Sequence, residues 1–70
     1  MDTAIETRTY GFSAGEFRLV EDVRGHLGAR AAAEVECLLS RQIRRFHNLT
    51  PDETKIVRGF AVARGVTLPE

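Results

Sequence analysis

The sequence predicts a mainly α-helical domain, a small bundle of two to three helices preceded by an extended arm. Three observations predict it. Residues 29–46 are dominated by alanine, leucine, glutamate, arginine and glutamine, which are strong helix formers. In that stretch Ala31, Ala32, Val35, Leu38, Leu39, Ile43 and Phe46 recur at three- and four-residue steps, so a helix gathers them on one face. Two helix-start signatures, Ser13 with Glu16 and Thr50 with Glu53, each set a hydroxyl cap three residues ahead of a glutamate. One domain is expected over 1–70, divided into an arm at 1–12 and a helical core at 13–70.

The arm is read as extended, or as one short edge strand. Threonine, isoleucine and tyrosine favour extended backbone, although strict alternation of apolar and polar residues is missing. Tyr10 and Phe12 could add a strand to a partner. Phe12 also occupies, with Phe17, the two positions of a hydrophobic staple, which is the preferred reading.

A first helix is expected at about 14–27, with Phe17, Val20, Val23 and Leu27 on its buried face. Gly28 suits the left-handed residue just past a helix end. Gly15 and Gly25 count against this helix by about 1 kcal/mol each relative to alanine. They keep open an α+β alternative, an N-terminal β-hairpin through Phe17 and Leu19 followed by two helices. Another alternative runs the helix straight through Gly28 into the next.

The second helix, at about 29–46, is the expected centre of the fold, roughly 27 Å long at 1.5 Å per residue. Its polar face holds Arg30, Glu34, Cys37, Arg41, Arg44 and Arg45. The arginines of its last turns meet the negative end of the helix dipole. Gln42 interrupts the apolar stripe, either marking its edge or fixing register with a partner helix. The third helix, at about 51–64, has Thr50 as cap, Pro51 at its first position and Gly65 as its stop. Ile56, Val57, Phe60, Ala61 and Ala63 supply its apolar surface, and Val62 lies off that stripe. Gly59 either weakens this helix or permits a close crossing. Val66 and Leu68 are expected to fold back as an apolar clasp before Pro69.

Seventy residues bury only about 60% of the unfolded surface, and a single cysteine forms no internal disulfide. A homodimer is therefore expected. The net charge of zero argues against a dedicated nucleic-acid binder. No stretch reaches the roughly 18–20 apolar residues of a membrane span, and no basic-then-apolar leader opens the chain. With one thiol, these features suggest a reducing cytoplasm and no membrane contact.

Candidate chemistry is sparse. Cys37, His26 and His47 are single and scattered, without the paired spacing of a zinc site. Glu21 and Asp22 are adjacent, so a helix does not place them on one face. Gly25 and Gly28 lack the lysine of a phosphate loop. No enzyme activity, cofactor or metal is expected. The expected function is that of a small non-catalytic regulatory protein, an adaptor or inhibitor that binds another protein through helical surfaces. Phe60, Val62 and Leu68 are the expected anchors, with Arg41, Arg44 and Arg45 giving orientation. The alternative is a nucleic-acid-binding transcriptional regulator, in which Arg30, Arg41, Arg44, Arg45, Lys55, Arg58 and Arg64 form one phosphate-gripping patch. Asp52 and Glu53 speak against it, because they open the helix that would enter a groove. The plainer reading of the same charges is a solvated face with local pairs such as Glu34 with Arg30. A third option is a thiol sensor at Cys37, with Arg41 one turn away.

Overall fold

The computed structural model describes residues 11–69. Among them lie three helices and no strand: α1 (Ala14–Leu27), α2 (Ala29–Leu39) and α3 (Pro51–Ala63). Residues 15–23 are helical, so the hairpin alternative is overturned. The expected arm or strand over 1–10 lies outside the described residues.

Both expected helix starts form. Ser13 Oγ accepts from the Glu16 N–H at 3.2 Å, while the Glu16 carboxylate accepts from the Ser13 N–H at 2.8 Å. Thr50 and Glu53 close the same reciprocal pair at 3.1 and 3.0 Å. Each box satisfies two amide groups that the first turn of a helix leaves without partners.

The chain does not run through Gly28. This residue adopts φ 101° and ψ 173°, a conformation restricted essentially to glycine. Its N–H donates to the Arg24 carbonyl, which ends α1, and its own carbonyl accepts from Ala32, which begins α2. One residue thus serves both helices. Ala31 and Ala32 are completely buried just past this joint, where small side chains let the two helices approach.

α2 is shorter than expected: it stops at Leu39, not at 46. The stop is a Schellman motif. The Arg41 N–H donates to the Leu38 carbonyl at 3.1 Å and the Gln42 N–H to the Cys37 carbonyl at 2.9 Å. Arg41 takes the left-handed position, φ 65°, that glycine usually fills. Ser40 Oγ donates to the Glu36 carbonyl at 2.9 Å, satisfying another end group. Residues 40–50 then take an irregular path. Gln42 is therefore exposed on a turn, not on a helical seam, and its expected role in helix register falls away. α3 ends in the same motif, with Gly65 at φ 69° and its N–H on the Val62 carbonyl, and Val66 on that of Ala61.

The centre of the fold is α1, which packs against both α2 and α3. The core contains Leu19, Val20, Val23, Ala31, Ala32, Val35, Val57 and Ala61. Burying each of the larger of these side chains contributes about 1.5–3 kcal/mol. Leu19 joins the core, whereas Phe17, expected there, is 42% exposed. The reason is that α3 crosses α1 beside Gly15, so the buried arc of α1 extends toward Leu19 and away from Phe17. Phe12, Leu27, Leu39, Phe46, Leu49, Phe60, Val66 and Leu68 pack around the core half-buried, so the expected clasp of Val66 and Leu68 is present.

Candidate functional site

The site is built by the segment that leaves α2. Arg30 and Glu34 are one turn apart on that helix, and they do not pair locally as expected. They clamp the two sides of one residue instead. The Glu34 carboxylate accepts from the backbone N–H groups of His47 and Asn48 at 3.0 and 2.8 Å, and from Asn48 Nδ2 at 3.3 Å. The Arg30 guanidinium donates to the Asn48 carbonyl at 2.6 Å and reaches the Glu53 carboxylate at 3.4 Å. Hydrogen bonds to ionised groups are stronger than neutral ones, so this clamp fixes the return of residues 40–50 along α2. The Glu53 side chain links the clamp to the cap of α3.

This path brings Arg44, Arg45 and Phe46 over the end of α2 and beside α3. There they enclose a cleft of about 500 Å³ with Leu38, Thr54 and Arg58. Leu38 is completely buried, so the apolar surface offered within the cleft belongs chiefly to half-buried Phe46. Three arginines share the lining, and among the described residues no acidic one does. Arg41 lies next to a neighbouring hollow with Ile43, Arg44 and Pro69.

The broad basic patch considered for nucleic acid divides in the fold. Arg64 donates from Nε to the Asp22 carboxylate at 2.7 Å. That hydrogen bond holds the Asp22 carboxyl below its ordinary range and raises the Arg64 guanidinium. Arg24 reaches Glu21 at 3.0 Å and Glu36 at 3.8 Å. Arg30 is clamped on Asn48, while Arg44, Arg45 and Arg58 are the arginines among the described residues that line the cleft.

The expected anchors do not converge with them. Phe60 is half-buried, its ring edge-on to His26 at 5.4 Å. Leu68 packs against the core. Val62 is 79% exposed on another side of α3. Leu38, Phe46 and Thr54 are the cleft residues that sequence reasoning did not name as candidates. The periodic pattern places Phe46 on the buried face of a continuous helix. The usable signal against that placement is the change from alanine-rich to arginine-rich sequence after Ser40.

Cys37 is half-buried, with its thiol 3.8 Å from the Gln42 amide oxygen, while His26 faces Phe60. Among the described residues no cluster of three or more His, Cys, Asp or Glu could hold a metal ion. No helix among them is long and apolar enough to cross a membrane. Compared with known protein families, curated proteins and solved structures, the chain matches none.

Proposed function

We propose that the chain is a small non-catalytic binding module, of adaptor or inhibitor type, that docks an acidic segment of another protein in the cleft between residues 44–46 and α3. The observation that carries this reading is the lining itself: Arg44 and Arg45 stand with Arg58 around Phe46 and Leu38, and among the described residues no acidic one joins them. Arginine beside an aromatic is the residue chemistry of protein-binding hot spots, and guanidinium groups match carboxylates in a two-pronged geometry. The separation of Arg30 and Arg64 into ion pairs weakens the nucleic-acid alternative, because fewer cations remain to track a phosphate backbone. The reading includes a homodimer, since exposed Val62 and Ile56 on α3 offer apolar surface for a second copy to cover. A reducing compartment suits the lone thiol of Cys37.

The test is fluorescence polarisation with a labelled acidic peptide containing leucine, at low and moderate salt. Reversing both charges, Arg44→Glu with Arg45→Glu, should abolish binding, while Arg18→Glu on α1 should leave it intact. Loss of binding in both variants equally would reject the cleft as the docking site. Random duplex DNA, binding more tightly than the peptide at low salt and weakening steeply as salt rises, would decide for the nucleic-acid alternative. Sedimentation equilibrium reads the oligomeric state, and a monomer at every concentration would remove the dimer.

A further inference from the structure

We propose that the docked segment carries two apolar side chains with an acidic residue between them, one apolar group entering each of two adjoining hollows and the acid resting on Arg44. This inference rests on the proposed acidic docking and specifies its ligand. The second hollow, about 400 Å³, is lined by Arg41, Ile43, Arg44 and Pro69. Arg44 lines both. The two are chemically alike: each combines apolar residues with arginines, and among the described residues neither has an acidic one in its lining.

The arrangement is set by where α2 ends. With Arg41 in the left-handed turn, residues 42–46 run irregularly, and Ile43 and Phe46 come to border different hollows on either side of Arg44. A purely acidic ligand would satisfy the guanidinium groups and leave both apolar linings wet. A single apolar anchor would fill one hollow only. An acidic chain with two anchors desolvates Phe46 and Ile43 together and brings its carboxylate to the shared cation, where charge and shape agree. The track ends there. A further hollow of about 450 Å³, bordered by Phe12, Cys37 and Leu39, includes Glu36, whose charge repels an acidic ligand.

The experiment uses the full chain and four short fluorescein-labelled peptides of aspartate and glutamate. One carries two leucines flanking an acid, two retain only the first or only the second leucine, and one has none. The two-leucine peptide should bind about tenfold or more tighter than either single-leucine peptide, a difference of about 1.4 kcal/mol. Phe46→Ala should weaken one single-leucine peptide and Ile43→Ala the other, with circular dichroism reporting that each variant is folded. The peptide-side comparison leaves the protein untouched, so it decides the matter even where a variant unfolds. If both single-leucine peptides match the two-leucine peptide, the two-hollow inference fails while acidic docking stands. Equal binding of the leucine-free peptide or of single-stranded oligonucleotide also overturns it, since the contact is then charge alone. If no peptide binds, the inference and the proposed function fall together.

Discussion

A methyl group on Gly15 would stand 2.9 Å from the carbonyl oxygen of Arg64 and 3.4 Å from the Val66 side chain. The end of α3 therefore crosses the first turn of α1 at backbone contact, and the Arg64–Asp22 ion pair lies alongside the crossing. A backbone carbonyl has little freedom to retreat, so this position excludes a side chain.

Two glycine substitutions of the same kind should accordingly have opposite signs. Gly15→Ala should destabilise by about 1 kcal/mol or more, because the clash outweighs the roughly 1 kcal/mol helix-propensity gain of alanine. Gly59→Ala, with nothing within 4 Å of the added carbon, should stabilise by about 0.5–1 kcal/mol. Urea denaturation measures both. Equal gains at the two sites would show that the helices cross with room to spare.

Arg41→Gly should raise stability by about 0.5–1 kcal/mol, because glycine adopts the left-handed turn without the steric cost that arginine bears. The same variant should bind the two-leucine peptide less well, since Arg41 lines the second hollow. A more stable protein with a weaker grip is the combined signature to look for in thermal melts and polarisation titrations.

Glu34→Ala should cost about 1–2 kcal/mol, reflecting a carboxylate that accepts three hydrogen bonds from His47 and Asn48. Its larger effect should fall on binding, because it frees the segment that carries Arg44, Arg45 and Phe46. Amide hydrogen exchange should quicken across 40–50 and remain slow at Val23 and Val35. Unchanged exchange in that segment would mean that the carboxylate does not hold it.

The Asp22–Arg64 pair sets a pH dependence with a definite sign. The Arg64 hydrogen bond lowers the Asp22 carboxyl below its ordinary value of 3.8, against a smaller opposing effect of burial. A carboxyl lowered in the folded state adds stability that is fully present above its unfolded value and is lost as pH falls through its folded value. Asp22→Asn should therefore be less stable than the parent near neutral pH and converge with it in acid. Denaturation midpoints across that range give the comparison, and a gap that widens toward acid would contradict the assignment.

Local chemistry was the legible part of this fold. Ser13 with Glu16 and Thr50 with Glu53 encode their helix starts within four residues, and both form. Gly65 likewise marks the end of α3. The end of α2 was not legible, because arginine occupies the position where glycine would have announced the stop, and helix-forming residues continue beyond it. What depended on that end was displaced with it: Phe46 packs against the core from the returning segment, not from a helix, and borders the cleft there, and Glu34 turned from solvent to the returning chain. Gly15 read as a weakness because its reason lies almost fifty residues away, at Arg64. The arginines of the candidate site could be named from sequence, but their partition between the cleft and ion pairs depended on contacts across the fold.

The single-residue joint at Gly28 makes chain length there as restrictive as residue identity. Each amino acid added to an α-helix rotates the downstream residues by about 100°. An insertion between Val23 and Ala31 would thus swing one greasy face out of phase with the other, leaving no slack to restore it. An insertion at 42–45 would instead displace Arg44 and Phe46 from their hollows while leaving α1 and α2 in register.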